Sequence, residues 1–242
     1  MTPFGAAQGA PSDSRGARRL GVLGGTFDPI HFGHLDAADA ARSALALDEV
    51  LFVPSHDPPH RPIHPHATAF HRFALVALAI DNHAGCRVSD LEVRRPGNSY
   101  TADTLRSLRA GGWQPWELYF ILGADAFAEI ATWYEFPAVL DGAHFVVVAR
   151  PGVTIDAALS RGPELLARVR AAAPRGAMAG PTAIFRVEAR TRDVSSTAIR
   201  ARLAARQPID DLVPAGVARH IAAHHLYLES HLHGHDQDVQ GT

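Results

Sequence analysis

The chain is predicted to fold as one α/β domain, a doubly wound parallel sheet with helices on both faces. Apolar runs suited to buried strands recur at 20–24, 50–54, 117–122, 144–149 and 183–187. Between most of them lie stretches of helical pattern, at 34–47, 67–82, 101–110, 156–172, 196–206 and 213–224, and strand-helix alternation at that spacing builds a parallel sheet. The last two helices form a small C-terminal helical part. With 242 residues, 47% hydrophobic and 20% charged, the chain can bury a sizeable core. The domain is expected over 17–228, between a Gly/Ala/Ser/Pro-rich disordered extension at 1–16 and a disordered, polar tail at 229–242 whose His231, His233 and His235 read as solvated.

Composition removes several classes of function. A formal net charge of −2 gives no general attraction to nucleic acid or to an anionic membrane, so anion binding must be local. No apolar run approaches the ~20 residues that span a bilayer, and neither an apolar signal core nor a basic leader is evident. Cys86 is the single cysteine, which excludes an intrachain disulfide and fits a reducing cytoplasm. All 23 basic residues are arginine. Without lysine there is no Walker-type phosphate loop and no lysine nucleophile to carry AMP, so any nucleotidyl transfer is direct.

Taken in order, the strand at 20–24 runs into Gly24-Gly25-Thr26-Phe27-Asp28-Pro29-Ile30-His31-Phe32-Gly33-His34 and then into the Ala/Leu helix at 34–47. The glycines allow a ligand close to the backbone. The helix N-terminus attracts anions, because its first N–H groups lack intrahelical partners and its dipole end is positive. His31 and His34, one helical turn apart, face the same side. They read either as capping groups or as a pair gripping one phosphate chain, a protonated imidazole also offsetting charge on a departing oxygen; the glycine-rich junction favours the pair. A zinc site lacks its remaining ligands.

The strand at 50–54 leads to His56-Asp57-Pro58-Pro59-His60-Arg61, a proline-stiffened ligand loop from which His60 or Arg61 can reach phosphate. His56-Asp57 also matches the dipeptide of metal-dependent HD phosphohydrolases, but here it lies in a broken loop rather than on a helix. After the helix at 67–82, Asn98-Ser99-Tyr100-Thr101 opens the helix at 101–110, with Ser99 or Thr101 as N-cap. The strand at 117–122 brings Asp125 to the same sheet edge, to accept from ribose hydroxyls or to cap a helix. Trp133 and Tyr134 sit beside a turn, as core or as a stacking platform for an electron-poor ring. Arg150-Pro151-Gly152 follows the strand at 144–149, and the helix at 156–172 is expected to break at Gly162-Pro163. Ser195-Ser196-Thr197 makes a capped helix start, with Arg200 about one turn on.

The glycine-histidine segment resembles the long form of the H-x-G-H signature of the nucleotidylyltransferase superfamily, and Val194-Ser195-Ser196-Thr197-Ala198-Ile199-Arg200 matches its I-S-S-T-x-I-R element. Across about residues 20–200 the chain is similar to the bacterial nicotinate-nucleotide adenylyltransferase family. The resemblance implies a Rossmann-like fold and direct in-line transfer of the adenylyl group of ATP to nicotinate mononucleotide, giving deamido-NAD and pyrophosphate. It makes His31, His34 and Arg200 catalytic and adds Gly24, Gly25, Thr26, Phe27, Asp125, Ser195, Ser196 and Thr197 around ATP. Asp28, His60, Arg61, Ser99, Tyr100, Thr101, Trp133, Tyr134 and Arg150 are implied to hold nicotinate mononucleotide. Ala149 stands where the family has the first of a tandem arginine, so Arg150 alone carries over. Mg2+ is implied as ATP's companion, with no protein metal site and Asp28 at most an indirect ligand. Backbone donors at 99–101 would suit a carboxylate better than an amide, so nicotinate is expected over nicotinamide. Nucleic acid and membrane are not expected as partners, and a homo-oligomer is left open.

Overall fold

The computed structural model describes residues 18–59, 64–149, 153–160, 162–171 and 180–228. Its strands are β1 (Leu20–Gly25), β2 (Glu49–Pro54), β3 (Cys86–Val88), β4 (Leu118–Gly123), β5 (His144–Ala149), β6 (Val169–Arg170) and β7 (Ile184–Glu188). They form one parallel sheet in the order β3-β2-β1-β4-β5-β7-β6. In β1, Leu20 lies opposite Glu49 on one side and Leu118 on the other.

The central strands β1, β2, β4 and β5 are apolar almost throughout because both faces are covered, whereas β3, β6 and β7 toward the sheet edges expose Arg87, Arg170, Arg186 and Glu188. Tyr119 and Ile121 of β4 face a core completed by α1 (Phe32–Leu45), α2 (Ala69–Ile80), α7 (Ser196–Ala204) and α8 (Ala215–Ala223). Leu118, Phe120 and Leu122 face the opposite core, with α3 (Thr101–Ala110) and α4 (Ala124–Ala128). Each fully buried Phe, Leu or Ile contributes about 1.5–3 kcal/mol relative to exposure. Gly21 is required between the layers: a Cβ there would meet Leu47 at 2.9 Å and Ile121 at 3.0 Å. The chain leaves β1 first toward β2 and later returns to place β4 on β1's other side. That reversal opens a crevice beyond the carboxyl ends of β1 and β4.

Three stretches differ from the sequence expectation. The helix expected at 156–172 is two single turns, α5 (Asp156–Leu159) and α6 (Pro163–Leu166), followed by β6. Pro163 starts α6, and beyond it the chain pairs with β7, Val169 opposite Ile184. The edge strand β3 was too short to carry a period. Between β4 and β5, where the sequence reading places a turn beside Trp133 and Tyr134, the chain forms α4 and short 3-10 turns at Ile130–Thr132 and Ala138–Gly142. The expected extension at 1–16 and tail at 229–242 lie outside the described residues.

Candidate active site

A cleft of about 910 Å³ occupies the crevice, at the upper end of ordinary ligand pockets, about 300–1,000 Å³. One wall is the β1–α1 junction. His31 is the extended residue before α1, at φ −149°, and its N–H donates to His34 Nδ1 at 3.2 Å. An accepting Nδ1 assigns the His34 ring proton to Nε2, the tautomer that donates from that nitrogen. The two rings stack at 3.8 Å between centroids, and the Phe27 ring meets His34 edge-on at 5.0 Å. His31 is 7% exposed. Burial lowers its pKa to about 4 despite the nearby Asp36 charge, so its imidazole is neutral at pH 7. A neutral His31 still donates a hydrogen bond from one ring nitrogen, and the negative charge of a bound phosphate would favour its protonated form.

Gly25 has a second reason to be glycine, since a Cβ there would meet the Phe27 ring at 3.0 Å. Phe27 itself is 2% exposed, so it supports His34 from the wall rather than standing in the open cleft. Asp28 lines the cleft but is also buried, its carboxylate accepting the His66 N–H at 2.8 Å and the Ala67 N–H at 3.0 Å. Its geometry is that of a tether for the segment before α2, not of a metal ligand.

Ser195 caps α7 as expected, accepting the Ala198 N–H at 3.1 Å. Ser196 lines the cleft and donates to the Pro29 carbonyl at 2.9 Å. Ser195, Thr197 and Arg200 are not among the lining residues. Arg200 Nη1 donates to the Asp28 carbonyl at 2.7 Å and Nη2 lies 3.4 Å from Thr197 Oγ1. To meet phosphate, as the sequence implied, its fork must rotate away from the loop it now braces.

The opposite wall comes from β2, α3 and β4. Ser99, Thr101, Trp133 and Asp125 line it, and Asp125 is exposed at the mouth. Trp133 is half-buried against Phe120, edge to face at 5.9 Å. Tyr134, 48% exposed, pairs instead with Tyr100 at 4.5 Å, and neither lines the cleft. The expected cap of α3 is also corrected. Tyr100 occupies the cap position and no side chain caps the helix. Ser99 is engaged elsewhere, its Oγ accepting the His56 N–H at 2.8 Å. An α3 start without a side-chain cap leaves its first N–H groups to water or ligand. His60, Arg61 and Arg150 lie outside the described residues.

Sequence reasoning missed four residues. Arg72, 1% exposed, donates to the carbonyls of Thr26 at 2.7 Å, His56 at 2.8 Å and Ala67 at 3.1 Å, locking both walls together. A lone cation inside the apolar run of α2 was the available signal. Arg192, also lining the cleft, stacks over Phe32 at 3.9 Å and binds Asp36 through its backbone N–H and its guanidinium. Burial works to raise the Asp36 pKa, but the Arg192 bonds outweigh it and hold the carboxyl below its usual value. Ser55 presents a buried hydroxyl with no hydrogen-bond partner among the described residues. Glu92 is a buried carboxyl in the same wall.

Known proteins resemble this chain over most of its length. The cytidylyltransferase-like family model matches residues 22–202. A Symbiobacterium thermophilum protein named probable nicotinate-nucleotide adenylyltransferase is 41% identical over 89% of this chain and 98% of its own length. One of the same name from Moorella thermoacetica is 38% identical over 86% and 91%. Among solved structures, Plasmodium falciparum nicotinic acid mononucleotide adenylyltransferase complexed with NaAD shares the fold, with a TM-score of 0.66 at 19% identity, covering 87% of this chain and 97% of that one.

Proposed function

The chain belongs to the nicotinate-nucleotide adenylyltransferase family, within the cytidylyltransferase-like nucleotidyltransferases, and from that membership we propose how its cleft performs the reaction. It transfers the adenylyl group of ATP to nicotinate mononucleotide, releasing pyrophosphate and forming deamido-NAD in NAD biosynthesis. The observation that carries the reading is a single cleft joining the stacked His31 and His34 at the start of α1 to the α3 start without a side-chain cap and to Trp133.

ATP lies along the β1–α1 wall, with Gly24, Gly25 and Thr26 allowing close approach and Phe27 backing His34. His31 and His34 donate to the phosphates, joined by the backbone N–H of Ser196 at the start of α7. Ser195 and Thr197 hold the α7 start, and Arg200 reaches the pyrophosphate once released from Asp28. Asp125 accepts from a ribose hydroxyl. Nicotinate mononucleotide lies against the other wall, its ring on Trp133 and its carboxylate on the N–H groups around Thr101. Ser99, Tyr100 and Tyr134 support that wall, Asp28 tethers its approach, and His60, Arg61 and Arg150 meet its phosphate.

The acceptor phosphate is already ionised at pH 7, so no general base is needed; its oxygen attacks the α-phosphorus in line and pyrophosphate leaves. Catalysis is alignment together with stabilisation of charge on the leaving group. Enzymes of this kind use a divalent metal with ATP. Asp28 and Glu92 are held by protein donors and Asp125 is exposed, a set that suits magnesium held by phosphates and water rather than by a protein cage. When bound, the ion supplies charge neutralisation at phosphate oxygens. No helix among the described residues is long and apolar enough to cross a membrane. The single cysteine suits a reducing compartment, and on that ground we propose the cytoplasm as the place of the reaction.

Mass analysis of the products from purified protein, ATP, magnesium and nicotinate mononucleotide tests the assignment. Dinucleotide and pyrophosphate in equal amounts, only when both substrates are present, is the expected result; ATP breakdown without acceptor would contradict it.

A further inference from the structure

Glu92 is 6% exposed, yet it lines the substrate cleft. A carboxyl in such a position costs stability unless its oxygens are bonded. Thr104 Oγ1, on the first turns of α3, donates to Glu92 Oε1. The Ser99 hydroxyl, just before α3, bonds it as well, and Arg95 adds an opposite charge. Glu92 thus grips α3 on both sides of its N-terminal Tyr100 and Thr101. Ser99 carries the connection onward, with its Oγ accepting the His56 N–H at 2.8 Å and its own N–H donating to the Asp57 carbonyl at 2.8 Å. One buried carboxyl therefore ties the α3 start to the loop after β2.

We propose that Glu92 is a positioning residue for the acceptor subsite: by holding Ser99 and Thr104, it fixes the direction in which the first N–H groups of α3 meet the carboxylate of the pyridine nucleotide. The inference rests on the functional reading above and deepens it. Thr104 is 1% exposed and lies outside the lining of the cleft, so Thr104 acts on substrate only through Glu92 and the helix. Burial raises the Glu92 pKa, and its bonds to Thr104 and Ser99 oppose that. An amide at this position could still accept one hydroxyl and donate to the other. Glutamine should therefore serve nearly as well as glutamate, and alanine should not.

The test compares steady-state kinetics of wild type, Glu92→Gln, Glu92→Ala, Thr104→Val and the Ala/Val double variant, varying ATP and nicotinate mononucleotide separately. Losing the anchor raises KM for nicotinate mononucleotide about tenfold in Glu92→Ala and about threefold in Thr104→Val, with KM for ATP and Glu92→Gln held within about twofold of wild type. The double variant should be no worse than Glu92→Ala, because both remove one linkage. Equal rises in both KM values, additive effects, or unshifted KM for nicotinate mononucleotide would overturn the proposal. If Glu92→Ala does not fold, the near-isosteric Thr104→Val decides alone. Wild-type protein without acceptor-dependent turnover would overturn the functional reading and this inference together, whereas an active wild type with unshifted variants overturns this inference only.

Discussion

Replacing Arg72 by methionine keeps much of the side-chain volume and removes every donor. Three carbonyls, on Thr26, His56 and Ala67, then lose their partner inside a site that is 1% exposed. Each buried acceptor left without a donor costs about 1–3 kcal/mol, and the methionine recovers part of that by sparing the desolvation of a guanidinium. The net expectation is a loss of about 3–5 kcal/mol, a large share of the 5–15 kcal/mol that folded domains usually hold. At roughly 2–4 °C per kcal/mol for a chain of this size, Tm should fall by about 6–20 °C. Urea unfolding measures the loss as a lower midpoint at unchanged slope. Since Thr26 and His56 belong to opposite walls, KM should rise for both substrates. A loss under about 1 kcal/mol, with both KM values unchanged, would refute the claim that Arg72 joins the walls.

His34→Ala should lower kcat by about 10²–10³ while leaving Tm within a few degrees, since the ring's work is on the leaving group; kinetics beside a melting curve check this, and a kcat within about threefold of wild type would remove His34 from the mechanism. Trp133→Leu should raise KM for nicotinate mononucleotide about tenfold and leave KM for ATP alone, consistent with loss of a stacking face. For acid stability, burial lowers the pKa of His31 and of His144 to about 4. The unfolded chain then binds more protons than the folded one between about pH 6.5 and 4, so this stabilisation is complete above about pH 6.5 and is lost as pH falls toward 4, by up to about 3 kcal/mol for each residue. Urea midpoints across that range should show the slope, and His144→Gln, which removes one titrating group remote from the cleft, should flatten it.

The parts of the fold legible in the sequence were those with two-sided apolar strands. β1, β2, β4 and β5 bury nearly every residue, so a continuous apolar run marks them, while β7 buries Ile184, Phe185 and Val187 and exposes Arg186 and Glu188. The edge strands β3 and β6 have three and two residues, and pairing rather than composition creates them. Motif residues close in sequence, such as His31 and His34, were legible because one helical turn brings them together. Partnerships across the chain were not: Arg72 with Thr26, Glu92 with Thr104, and Arg200 with Asp28 arise only when separate loops meet at the sheet edge. Tyr134 shows the same limit in reverse. Its neighbour Trp133 turns toward the cleft, while Tyr134 turns out to meet Tyr100, a choice set by tertiary contact.

The central claim is that this cleft transfers an adenylyl group to a pyridine nucleotide bearing a carboxylate. Its most direct test is kcat/KM for pyrophosphate release with nicotinate mononucleotide against nicotinamide mononucleotide, at saturating ATP and magnesium. Donors that face an amide NH₂ are left unpaired, so the acid should be preferred by at least about tenfold. Equal use of the two, or preference for the amide, would contradict the account.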